Sequence, residues 1–176
     1  MQRFNIAFLC VVISVAFVIL GSATAQETHK HINKRNVYFS TEEDFVSRGP
    51  KLQGGPLISD GDLLGSDGHL YMRNAELLAH WGTTIDLGLD AADVINGEKG
   101  FVAFSTEIDH PEGLFTDGDL LAINGAVLPN SALLVQFDLP RGLDLGLDAI
   151  LFMGQQQDMI AFLKVVKEQG REYWLE

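Results

Sequence analysis

Two hexapeptides occur twice in this chain, at nearly the same separation. Ser-Asp-Gly-Asp-Leu-Leu fills residues 59–64, and Thr-Asp-Gly-Asp-Leu-Leu fills 116–121. Asp-Leu-Gly-Leu-Asp-Ala stands at 86–91 and again at 144–149. The chain is therefore an internal duplication with a period of 57–58 residues. A unit of that size buries its apolar face against a copy of itself, which restricts the fold to repeat architectures. The duplication also shows each position twice, so a residue kept in both copies can be told from one that drifts.

The duplication begins well inside the chain. Residues 1–25 read as a secretory signal. Arg3 supplies the positive start, an apolar stretch runs from Ile6 to Leu20, and Ala23-Thr24-Ala25 is a small-x-small cleavage site ahead of Gln26. Cleavage would leave no membrane anchor and would place the chain outside the cytoplasm, secreted or periplasmic. Cys10, the one cysteine, lies in the removed part, so neither a disulfide framework nor a thiol nucleophile is expected. Removing 25 residues from 176 leaves 151, with 11 basic and 24 acidic residues and a net charge of −13. That balance excludes nucleic-acid binding through phosphate contacts and adhesion to an anionic membrane surface. Residues 26–36 are polar and read as a flexible tail. His29 and His31 within it do not make a metal site without further ligands.

Residues 37–176 are expected to form a single β-rich repeat domain. Val37–Thr41, Val102–Thr106 and Ile160–Lys164 align, each with a β-branched residue and a phenylalanine two apart on one face of a strand. Phe39, Phe104 and Phe162 should then be equivalent and buried. Leu63–Ser66 should pair with His69–Met72, and Leu120–Ile123 with Ala126–Leu128. Asp67-Gly68 and Asn124-Gly125 are the dipeptides of a two-residue type I′ turn.

After each hairpin, Asn74–Trp81 and Asn130–Phe137 read as a single helical turn capped by asparagine, although the second copy also reads as a strand. Asp86–Ile95 and Asp144–Phe152 each read as a loop entering a strand. The copies match without a gap from Gly88 to Phe104 and from Gly146 to Phe162, which favours a strand near residue 160. Residues 158–170 nevertheless carry the apolar spacing of an amphipathic helix, with Gly170 as its stop.

Strand count and unit length resemble a β-propeller blade. The stretches Phe39–Asp44, Asp60–Leu64 and Gly88–Ala91 resemble repeats in secreted bacterial proteins of unknown function, a resemblance that implies no activity. About two and a half units are present, against at least four in a closed propeller. The expected fold is thus mainly β, built from antiparallel hairpins with short helical turns, blade-like or an open β-sandwich.

The acidic positions kept in both copies are Asp60 and Asp117, Asp62 and Asp119, Asp86 and Asp144, and Asp90 and Asp148. Asp67 is matched by Asn124. Asp60, Asp62, Asp67, Asp117 and Asp119 are the calcium candidates, because hard cations take oxygen ligands from Asp/Gly-rich loops. An EF-hand loop needs an oxygen ligand at its fifth position, where Leu64 and Leu121 stand, so turn chemistry is the preferred reading. No cofactor is expected. Ser40 and Ser105 recur, but no histidine does, which removes the base of a serine mechanism. Trp81 and Trp174 could form a sugar platform; Trp81 matches Phe137, which favours core packing.

The expected function is a non-enzymatic module that binds or builds something, its partner unknown. The alternatives are a carbohydrate-acting hydrolase using paired Asp carboxylates, and a calcium-stabilised adhesion or carbohydrate-binding module. One core fits in 151 residues, which favours a monomer over a homodimer. The segment Arg171–Glu176 is expected to close an open edge as a strand.

Overall fold

The computed structural model describes residues 37–49, 55–96, 100–140 and 143–175. The signal segment and the 26–36 tail, with His29 and His31, lie outside the described residues.

The described chain is mainly β, with three antiparallel sheets and no closed barrel among the described residues. The first sheet joins β1 (Tyr38–Phe39), β4 (Leu63–Gly65) and β5 (Leu70–Met72) in the order β1-β4-β5. A two-stranded sheet joins β2 (Phe45–Val46) to β3 (Leu57–Ile58). The third sheet runs β6-β7-β8-β9, from β6 (Ala91–Asn96), β7 (Phe101–Ser105), β8 (Leu120–Ala122) and β9 (Ala126–Leu128).

Both expected hairpins are present. Leu63 faces Met72 and Leu64 faces Leu70; Leu120, Leu121 and Ala122 face Leu128, Val127 and Ala126. The turns are not of type I′. Each loop has three residues, closed by Gly68 N–H on Gly65 O at 2.9 Å and by Gly125 N–H on Ala122 O at 2.8 Å. Only the glycines take positive φ, 84° and 86°. The residue before each glycine bonds instead to the amide two positions on: His69 N–H donates to Asp67 Oδ1 and Ala126 N–H to Asn124 Oδ1, both at 3.1 Å. A single left-handed residue closing a three-residue loop is the bulged alternative to a two-residue turn.

Period-two alternation gives the β6–β9 sheet two buried faces. On one, Val102, Phe104, Leu121 and Val127 pack with Leu63, Leu77, Leu78, Leu87, Leu89 and Phe115. On the other, Ile95, Ala103, Leu120, Ala122, Ala126 and Leu128 meet Leu163 and Val166. Phe104 is fully buried as expected, whereas Phe39 is 43 % and Phe162 40 % exposed. The three phenylalanines are not equivalent.

Leu163 and Val166 belong to α3 (Gln156–Gln169), so the expected strand over Ile160–Lys164 is a helix. Helix formers fill the segment, Asp158 lies in the first turn and Lys167 in the last, and Gly170 ends it at φ 78°. Ala103, Ala122 and Ala126 leave room on the sheet for the helix to sit close. The 144–152 copy forms no strand, in contrast to the matching residues of β6. Arg171–Leu175 is also helical (α4), not a closing strand. It does close a surface, since Trp174 packs against the second core.

The compromise of one helical turn after each hairpin holds. The turns are α1 (Asn74–Leu77) and α2 (Asn130–Leu133), each followed by a 3₁₀ turn, Ala79–Trp81 or Val135–Phe137. Asparagine is not the cap. Arg73 and Pro129 occupy that position, and each asparagine is the first helical residue with its side chain buried.

Candidate functional site

Each Asp-Gly-Asp loop is organised by its second aspartate. Asp62 is 1 % exposed; its Oδ2 accepts from Ser59 N–H at 3.2 Å and its Oδ1 from Asn74 N–H at 3.0 Å. Asp119 is equally buried and accepts from Thr116 N–H and Asn130 N–H, both at 3.1 Å. One carboxylate thus ties its own loop to the start of the following helix, where unpaired N–H groups favour negative charge. Each also holds a guanidinium. Arg73 Nη1 donates to Asp62 Oδ2 at 2.5 Å and Arg171 Nε to Asp119 Oδ2 at 2.8 Å. The two arginines come from unrelated places. Arg73 precedes α1, where the second copy has Pro129, and the matching charge arrives on α4.

The asparagines stitch three segments together. Asn130 Nδ2 donates to Gly118 O at 3.1 Å and Gly146 O at 2.9 Å, and its Oδ1 accepts from Leu145 N–H at 3.1 Å. Asn74 Nδ2 donates to Gly61 O and Gly88 O, while its Oδ1 has no hydrogen-bond partner among the described residues. The intervening glycines are required by space. A Cβ on Gly61 would meet the Asn74 amide and the Asp86 carboxylate, and one on Gly118 would meet Asp144.

Other repeated polar groups also bond the backbone, within a turn or between segments. Asp44 Oδ1 accepts from Asp60 N–H and Asp109 Oδ1 from Asp117 N–H. Asp86 and Asp144 accept from Gly88 and Gly146 N–H. The Ser40 and Ser105 hydroxyls donate to Leu89 O at 2.8 Å and Leu147 O at 2.7 Å. Neither serine has a histidine partner among the described residues. His110 is buried against Phe115, with Nδ1 accepting from Glu112 N–H. His80 packs edge-on to Trp81 and beside Gly125, and Trp81 in turn contacts Phe104 and Phe115.

Of the calcium candidates, Asp62 and Asp119 are engaged inside their loops, Asp67 closes a hairpin, Asp60 is half-buried and Asp117 is exposed. Among the described residues, no group of three or more histidine, cysteine, aspartate or glutamate side chains is placed to hold a metal ion.

These turns gather acidic groups, and their titration is coupled. Desolvation, then the charges of Asp86 and Asp44, raise the Asp60 carboxyl above its ordinary range, against an opposing bond from Gly61 N–H. Asp117 is raised by desolvation and then by Asp109. Asp90 is raised by desolvation, then by Asp148, Glu42 and Asp117, and Glu107 by desolvation, then by Asp60 and Glu42. Asp90 and Asp148 also line one recess of about 340 Å³, together with Tyr38, Phe39, Ser40, Ala91, Ala92, Ala149 and Ile150.

Sequence reasoning found Asp62 and Asp119 as a recurring pair but missed their arginines, which do not recur. It also passed over Asp44 and Asp109, although the match was legible: each stands four residues after Ser40 or Ser105. No protein-family model, curated protein or solved structure matches the chain.

Proposed function

We propose that this chain is a secreted or periplasmic, non-enzymatic β-repeat module with a binding or structural role. One observation carries the reading. Three pairs of polar side chains that recur between the copies (Asp62 and Asp119, Asn74 and Asn130, Ser40 and Ser105) bond backbone groups at matching positions. The recurrence of these three pairs is explained by architecture. The same correspondence supports reading the copies as two structural units of one repeat, blade-like in strand order. The core shared between the β1-β4-β5 and β6–β9 sheets favours an open sandwich over a ring.

A second reading has one observation in its favour. Asp90 and Asp148 share a recess, and carboxylates in such a setting are the equipment of a glycoside hydrolase. An assay over a panel of glycosides and polysaccharides separates the two. The module reading expects no turnover; hydrolysis abolished by Asp90→Asn or Asp148→Asn would replace it with the enzyme. Sequencing the N-terminus of the exported protein tests location, with Gln26 expected as the first residue.

A further inference from the structure

The β6–β9 sheet contains a pairing that the β1-β4-β5 sheet lacks. In the former, β6 lies on the outer edge of β7, with Ala91 opposite Ser105, Ala92 opposite Phe104 and Val94 opposite Val102. The residues of the first sheet that match β7 are Val37–Ser40. Their strand β1 pairs with β4 on one side and, among the described residues, with no strand on the other. The matching side chains also differ in burial. Val102 and Phe104 are 0 % exposed, while the matching Val37 and Phe39 are 62 % and 43 % exposed.

The other end of the molecule shows the complementary gap. β6 follows the first Asp-Leu-Gly-Leu-Asp-Ala motif. The second copy of that motif leads into Ala149–Met153, which pairs with no strand among the described residues. Leu151 and Met153 are 77 % and 86 % exposed, whereas Ile95, which matches Met153, is 9 % exposed. The motif is anchored alike in both places, by Ser40 on Leu89 O and by Ser105 on Leu147 O. An edge that fits this segment and a segment of this kind are therefore both present, and neither pairs with a strand among the described residues.

Within one copy the two do not join. Ala149 and Ile150 border the recess beside Tyr38–Ser40 without pairing to it. Beyond them the chain turns to β6, where Phe152 N–H donates to Asp93 Oδ2 at 2.7 Å and Gln156 Nε2 to Ile95 O at 2.8 Å. The start of α3 at Gln156 then holds it on the other sheet.

We propose that the outer edge of β1 receives the Ala149–Met153 segment of a second copy of this chain, extending the sheet head to tail in the register of β6 on β7. Ala149 of one copy then faces Ser40 of the other, and Ile150 faces Phe39. This is strand addition to an open edge, in which main-chain hydrogen bonds supply affinity and alternate side chains supply selectivity. The contact is heterologous, so it builds a ring where the rotation closes and a filament where it does not. This departs from the expected monomer. It rests on the structural reading above and names the partner.

The test is solution mass by sedimentation over a wide concentration range, in moderate salt to screen Glu42, Asp90 and Asp148. The chain is expected to exceed the mass of one copy as concentration rises. Phe39→Lys blocks the edge and Leu151→Lys blocks the segment, so each variant alone should stay monomeric. Their equimolar mixture should form a dimer and stop there, because each supplies the face the other lost. Val37→Lys and Met153→Lys serve as a second pair if either first variant fails to fold. A wild-type chain monomeric throughout, a mixture that stays monomeric, or association that survives in both variants would each overturn the proposal. A monomeric wild type without glycosidase activity would remove this partner and leave the module reading intact.

Discussion

Asp117 and Asp119 are two residues apart in one loop, and removing their charges should have opposite effects. The Asp119 carboxylate is buried beneath two backbone amides and the Arg171 guanidinium, itself only 23 % exposed. Asp119→Asn keeps the shape but puts an amide N–H₂ where a donor already points, and it leaves the guanidinium without its partner. A hydrogen bond to a charged group contributes about 1.5–3 kcal/mol, and removing one partner of a buried pair costs about 3–5 kcal/mol. We expect a loss of about 3–5 kcal/mol. In a domain of this size that lowers the melting temperature by roughly 10–20 °C.

Asp117 is exposed, its carboxyl raised by desolvation and by Asp109. Asp117→Asn removes the repulsion and retains an oxygen for Gly118 N–H. Its melting temperature at neutral pH should equal or slightly exceed that of the wild type. Differential scanning calorimetry of the two variants, with Arg171→Gln completing a double-mutant cycle, measures this. The expected coupling between residues 119 and 171 is about 1–3 kcal/mol. Equal melting temperatures for D117N and D119N, or zero coupling, would refute the assignment of Asp119 as the organiser of its turn.

Three further outcomes follow from the same structure. Phe104→Ala should cost about 3–5 kcal/mol by chemical denaturation, while the exposed Phe39→Ala should cost under about 1 kcal/mol; equal costs would contradict the burial difference. Asp60, Asp90, Glu107 and Asp117 have raised carboxyls, so in the window between the ordinary carboxylate value and the raised one the folded chain holds protons that the unfolded chain has released. Their linkage makes stability fall as pH rises through that window: the melting temperature should rise between neutral pH and about pH 5 and with added salt, and a fall in both experiments would sink this account. Millimolar Ca²⁺ should leave the melting temperature nearly unchanged, because Asp62 and Asp119 already bond their own loops; a large rise abolished by Asp60→Asn or Asp117→Asn would establish a calcium site instead.

The sequence made local geometry legible wherever one residue dictates it. Asp-Gly and Asn-Gly marked both hairpins, and β-branched and aromatic alternation marked β7. The detail missed there, a three-residue loop in place of type I′, turns on one choice. Asp67 and Asn124 bond the amide two residues ahead and leave positive φ to glycine alone.

Duplication misled where tertiary context differs. Phe104 and Phe162 match without a gap, yet residues 156–169 contain glutamine, lysine and glutamate and present Leu163 and Val166 to a sheet face lined with alanine. Helix propensity and a partner surface together outweighed the alignment. The Asp119 site makes the same point from the other side. Its aspartate and asparagine were readable because they recur, but its arginine comes from α4, 52 residues away, and nothing in the period announces it. In the first copy the same charge sits on Arg73, 11 residues from Asp62. Both buried carboxylates hold a guanidinium, and the two arginines come from different segments of the chain. A repeat read from letters alone recovers the backbone-directed half of such a site and misses the half supplied through space.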